Sequence, residues 1–266
     1  MNPSISSSAL ALLLALSAPA QALVLAPQYE GVFLDGDGAN SRWVQVRSNW
    51  RGGIHGDETW GTGIWGLADH AEVMALSTDH RKVLRTLETR VDQIDFADRR
   101  FINRWGATWG TPELAPLFSG TGPTRGGQDN WAVSFWGYLA IPVAGEYNFG
   151  VLFDDGFRFT LMGADGAGKI LMDGLNPRDR LGFAENLSLL PGLYGFQLDA
   201  YERLEAGVVQ LGWYTPGASD WAVVPTSQLY TAPPRPSLAA NAIPEPAVPM
   251  LMLAGLAALG LGRLRR

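Results

Sequence analysis

Between Val133 and Ile141 apolar or aromatic residues alternate with small or polar ones, and Tyr147, Phe149, Val151 and Phe153 repeat the alternation. A period of two belongs to strands that lay one face on a core. Pro142-Val143-Ala144-Gly145 breaks the run, which predicts two antiparallel strands joined by a short connection. The same pattern predicts strands over 91–96, 187–190, 195–201 and 208–214, a closing segment over 221–230, and strand-like pieces at 31–34 and 43–46. Val83, Leu84, Leu87 and Val91 instead have near-helical spacing, with Ser77 or Asp79 as candidate caps. Gly, Pro and Thr make 103–127 a long loop. Residues 163–186 carry mixed charge and are expected to form a long solvated connection.

The second strand delivers Asp154-Asp155-Gly156 to its tip. Neighbouring residues on a regular strand point to opposite faces, so two such carboxylates share an ion only where the backbone leaves strand geometry. One reading is a polar loop whose aspartates bond their own backbone. The other is a cation site, since like charges so close cost energy unless neutralised, and hard carboxylate oxygens favour Ca²⁺.

Composition narrows the class. With 266 residues, 47% hydrophobic and 17% charged, the chain can bury a sizeable core, and 32 glycines with 10 tryptophans suit short strands, tight turns and large core side chains. All-β is the expected class. Cysteine is absent, which excludes disulfides and thiol chemistry. A net charge of −6 without a basic patch argues against nucleic acid. His55, His70 and His80 lack metalloprotease spacing, and no nucleophile-elbow or phosphate-loop motif is present. A glycosidase needs two carboxyl groups about 5 to 9 Å apart across a bond, which adjacent aspartates do not easily provide. Asp35-Gly36-Asp37-Gly38 lacks the later ligands of an EF-hand and reads as a turn.

The order of pieces resembles the protective-antigen domain family, a β-sandwich of bacterial glycosidases, toxins, surface proteins and yeast adhesins. The matching stretches are Phe135-Trp136-Gly137-Tyr138, Gly145 to Phe149, Asp154-Asp155-Gly156, Leu190 to Tyr194 and Leu211 to Gly217. The resemblance runs clearly over 91–230 and more faintly from 63. It implies a non-enzymatic antiparallel β-sandwich over 61–230, a first strand near Gly63–Leu67 and extended chain over 77–90, with 23–60 as an extension packed on the sandwich. In the yeast adhesin branch a cis-linked aspartate pair chelates Ca²⁺, which also holds sugar hydroxyls, and a second loop adds an asparagine and carbonyls. The corresponding loop here is 201–207, with Glu202 roughly at the asparagine position. The implied metal ligands are therefore Asp154, Asp155 and Glu202, with Phe157, Arg158 and Tyr201 as candidate glycan contacts. A structural matrix or adhesion protein without glycan recognition is the alternative function, and a glycoside hydrolase a third.

Both ends read as targeting segments. Ala9 to Leu16 is apolar and Ala20-Gln21-Ala22 is a small-x-small site, so residues 1–22 are expected to be a signal peptide cleaved after Ala22, although no Lys or Arg precedes the apolar run. Residues 231–242 are a Pro- and Ala-rich linker. Pro244-Glu245-Pro246, the apolar run 247–262 and the terminal arginines resemble the PEP-CTERM sorting signal of Gram-negative bacteria. That likeness implies transient insertion of 247–262 in the inner membrane as a helix, processing by an exosortase-type protease, and a destination at the cell surface or in a polysaccharide-rich biofilm matrix.

Overall fold

The computed structural model describes residues 25–53, 61–104, 109–119, 127–166, 168–175 and 181–234. The expected signal peptide, the sorting segment 243–266 and most of the linker lie outside these residues. Among the described residues no helix is long and apolar enough to cross a membrane. The compact unit containing the strands ends at Thr231.

In chain order the elements are β1 (Tyr29–Glu30), β2 (Ala39–Val46), α1 (Leu67–Met74), β3 (Val83–Val91), β4 (Asp95–Ala97), α2 (Arg99–Arg104), β5 (Glu113–Leu114), β6 (Trp131–Ile141), β7 (Gly145–Asp154), β8 (Gly156–Met162), β9 (Gly168–Leu175), β10 (Leu181–Leu189), β11 (Gly192–Glu202), β12 (Val208–Tyr214), β13 (Ala222–Val223) and β14 (Leu229–Tyr230). One sheet runs β3-β2-β6-β11-β8-β9, with β1 on β11 and β14 on β6. The other runs β10-β7-β12-β4-β5, with β13 on β12. Pairing is antiparallel except between β4 and β5.

The alternating positions of both sheets meet in one aromatic core. Phe149, Phe153, Phe157, Phe159 and Phe135 are all at most 1% exposed. Trp43 packs edge-on against Phe135 at 5.4 Å and Phe96 at 5.6 Å. Burying rings of this size is the main source of stability in a chain without disulfides.

Several expectations are corrected. The strands β6 and β7 do not form a hairpin: they lie in opposite sheets, and Pro142–Ala144 carries the chain across the sandwich. Residues 163–186 are largely the two strands β9 and β10, each at the end of its sheet. Segment 63–66 is not a strand; it leads into α1, which packs with Val44, Val46, Trp50, Ala132 and Tyr201 on the outer face of the larger sheet. Residues 83–90, where the spacing suggests a helix and the family resemblance implies extended chain, are extended, as part of β3. Strand β2 lies between β3 and β6, so residues 39–46 are part of the sandwich itself.

Candidate functional site

Among the described residues, two connections between the sheets fall at one end of the sandwich. The chain leaves β7 at Asp154 and enters β8 at Gly156 in the other sheet, and it leaves β11 after Glu202 and enters β12 at Val208. The registers Gly156↔Leu175 and Leu181↔Leu152 bring the last residue of β9 and the first of β10 to the same end. Regular strand geometry stops at this corner, where the Asp154–Asp155 peptide is cis.

Asp154 is buried, opposite Val208, and Asp155 is half-buried. The Asp155 N–H donates to the Tyr201 carbonyl at 2.8 Å, and Asp155 Oδ2 accepts from the Arg203 N–H at 2.6 Å. The aspartate corner is thereby tied to the β11–β12 loop. Next along β11, Glu202 is 0% exposed. Its Oε2 accepts from the Asn130 N–H at 3.1 Å, whereas Oε1 is buried with no hydrogen-bond partner. Asn130, at φ 58° just before β6, likewise has its amide oxygen buried and unpartnered.

Burial pushes the Glu202 carboxyl well above the usual carboxylate range, and the neighbouring charges of Asp155, Asp129 and Asp98 push in the same direction. Asp98 is occupied elsewhere: its oxygens accept from the N–H groups of Phe101 and Gly207 at 2.8 and 2.9 Å. Asp129 accepts from Arg100 at 2.7 Å. Glu202 is therefore a buried acid with an unused oxygen and acidic neighbours, an arrangement that costs free energy without a proton or a cation.

A cation at this corner would need oxygens of more than one kind. Among the described residues no three His, Cys, Asp or Glu side chains gather closely enough to hold a metal, so carboxylates alone do not form the site. Asp155 and Glu202, the Asn130 amide oxygen and loop carbonyls are hard oxygen donors of the kind Ca²⁺ takes, six to eight at a time. The orphaned oxygens of Glu202 and Asn130 fit that requirement.

The expected glycan contacts are placed differently. Phe157 is 0% exposed and packs on Phe153 at 4.5 Å in the central core, so it presents no face to a sugar. Tyr201 is 2% exposed in the cluster under α1. Its hydroxyl lies where only a glycine fits, since a Cβ on Gly156 would come within 2.5 Å of it. Burial, together with the charges of Asp155 and Asp69, drives the Tyr201 pKa up. Arg158 is half-buried on the non-core face of β8, two residues past Gly156 and in register with Asp199 of β11. The groups that do border the corner are Asn130, Arg203 and Trp65, with the Arg203 guanidinium 3.7 Å from the Trp65 ring centroid. The aromatic residue in Gly63-Ile64-Trp65-Gly66 is their sequence signal, although the motif reads as a strand.

No known protein-family profile matches the chain, and no curated protein matches it. Among solved structures, the A domain of epithelial adhesin 6 from Candida glabrata, in complex with Galβ1-3GlcNAc, superposes with a TM-score of 0.51 at 13% identity, covering 78% of this chain and 92% of that one. A PA14 sugar-binding domain from an RTX adhesin gives 0.45 at 14% identity, covering 76% and 99%. An anti-sigma factor domain-containing protein from Clostridium clariflavum gives 0.45 at 20% identity over 76% of this chain, which spans 51% of that protein's length. The fold is a protective-antigen-type β-sandwich.

Proposed function

We propose that this chain is an exported, non-enzymatic sandwich that binds Ca²⁺ at the Asp154–Asp155 corner and presents that corner to glycans at the cell surface or in an extracellular matrix. The observation that carries the reading is the buried, unpartnered Oε1 of Glu202 beside Asp155. Asp155, Glu202 and Asn130 would hold the ion, with loop carbonyls and Asp154 completing the oxygen shell. When bound, Ca²⁺ supplies positive charge that offsets the acidic cluster and a coordination position open to sugar hydroxyls. Arg203 and Trp65 contribute a stacked cation and ring at the rim, a surface suited to a pyranose face and its hydroxyls. The adhesin neighbour's complex with Galβ1-3GlcNAc makes galactosides the first ligands to try.

The targeting segments complete the proposal: export through residues 1–22, and exosortase-type processing at Pro244-Glu245-Pro246 with release of 247–266 into a Gram-negative surface or biofilm setting. A glycan array probed with the purified protein, with Ca²⁺ and with chelator, tests the glycan reading. Binding that requires Ca²⁺ and disappears in Asp155→Ala supports it. Silence on the array with retained Ca²⁺ binding assigns the ion to holding the loops alone, a reading favoured by the burial of Phe157 and Tyr201.

A further inference from the structure

The outer face of the smaller sheet carries an aromatic shelf that is separate from the Asp154–Asp155 corner. Phe183 of β10, Gly150 of β7, Gly212 of β12 and Val223 of β13 are successive cross-strand partners. Two glycines side by side in neighbouring strands give up packing and cost backbone entropy, which points to something lying close against them. That occupant is the Trp109 indole: a Cβ on Gly150 or Gly212 would come within 2.5 or 2.4 Å of its ring atoms. The main chain at Trp109 is anchored, because its backbone N–H donates to Gln210 Oε1 at 3.2 Å and Gln210 Nε2 donates to Asp95 Oδ1 at 2.7 Å.

Trp221 stacks on Trp109 with centroids 5.3 Å apart and planes 20° from parallel. Phe183 stands edge-on to both, at 6.2 and 5.4 Å. The shelf is open: Phe183 is 47% exposed, and Leu181, on the same strand face, is 40% exposed. A polar cleft of about 310 Å³ adjoins it, lined by Arg90, Asp92, Asp95, Thr111 and Glu113. Gly110, next to Trp109 in the chain, packs close to Asp95 of the cleft and Val223 of the shelf: a Cβ there would lie 2.7 Å from Asp95 Oδ2 and 2.8 Å from a Val223 methyl.

We infer that the shelf of Trp109, Trp221 and Phe183, with the cleft at Asp95 and Glu113, binds neutral polysaccharide without Ca²⁺. Flat rings match the apolar face of a pyranose, and adjacent carboxylates and a hydroxyl accept and donate to its hydroxyl groups. Charge selects the class of ligand. Three carboxylates and one guanidinium line the cleft, and the chain carries −6 overall, so uronic-acid polymers and nucleic acid are repelled. Gly150 lies four residues before Asp154 on β7, about 13 Å along the strand, so this face is distinct from the corner and does not depend on the reading given to it.

Affinity gel electrophoresis of the purified protein in chelator tests the inference, with soluble mixed-linkage β-glucan or galactomannan in the gel and alginate as the anionic control. A neutral polymer should retard the wild type and quench its tryptophan fluorescence. Phe183→Ala, which removes a half-exposed ring, should keep the melting temperature and weaken binding several-fold to tenfold. Asp155→Ala should bind as wild type does. No retardation by either neutral polymer, equal retardation of Phe183→Ala, or stronger retardation by alginate would overturn the inference. Concentration-dependent dimerisation lost in Phe183→Ala would also overturn it, by assigning the shelf to a second copy of the chain.

Discussion

The Asn130 backbone N–H holds one oxygen of Glu202 at 3.1 Å while the other stays buried without a partner. A carboxyl group so placed either keeps a proton or meets a cation, since its neighbours Asp155, Asp129 and Asp98 all disfavour its charge. Glu202→Gln removes the negative charge at nearly constant volume. In chelator this variant should be more stable than wild type by about 1 kcal/mol, and it should lose most of the stabilisation that Ca²⁺ gives. Thermal melts with and without Ca²⁺ check this; a variant that is less stable in chelator yet responds fully to Ca²⁺ would show that Glu202 is not a ligand.

Phe157 separates a core role from a surface role. It is fully buried against Phe153, so Phe157→Ala should cost about 3 to 5 kcal/mol in urea unfolding. A cost below 1 kcal/mol would mean that the ring faces solvent.

His70 gives the fold a pH dependence of known sign. Burial lowers its pKa, with only partial opposition from Asp199 at 3.9 Å and from the Val133 carbonyl, 2.9 Å from Nε2. The unfolded chain therefore takes up this proton first, so the stability associated with neutral His70 is complete above about pH 6.5 and falls as pH drops below it. Asp95, Asp98 and Asp129, whose pKa values burial raises, work in the opposite sense and are common to both proteins compared. Between pH 7 and 5 the melting temperature of wild type should fall more steeply than that of His70→Gln. Parallel curves would contradict the assignment.

Gly212→Ala probes the shelf as a structure. The added Cβ would lie 2.4 Å from the Trp109 ring, so the indole must move; a loss of about 1 to 3 kcal/mol is expected, with a changed tryptophan emission spectrum. An unchanged spectrum and stability would place the indole elsewhere.

The exported product should begin at Leu23 and end near Pro244-Glu245-Pro246, as read by intact mass spectrometry of protein recovered outside the cell. A product retaining 247–266 would replace the sorting signal with a plain membrane anchor.

The sandwich class and the acidic corner were legible because period-two alternation and Asp154-Asp155-Gly156 are local signals. The placement of β6 and β7 in opposite sheets was not, since a short connection suits a hairpin and an inter-sheet crossing equally well. The alternation is legible only in the second half of β10, over 187–189; β9 and the start of β10 lie in a stretch of mixed charge that reads as a solvated connection. In β8, by contrast, Phe157, Phe159 and Leu161 are spaced two apart, a local sign that Phe157 faces the core. Asn130 meets Glu202 across 72 residues of sequence, and no local pattern predicts such a meeting.

Calorimetric titration of Ca²⁺ into chelator-stripped protein reads occupancy of the Asp154–Asp155 corner without relying on any glycan. Wild type should show one saturable site, Asp154→Asn/Asp155→Asn none, and free Ca²⁺ at ten times the dissociation constant should stabilise wild type by about 1.4 kcal/mol. No heat of binding in folded wild type, or an unchanged isotherm in the double variant, would contradict a Ca²⁺ site at this corner.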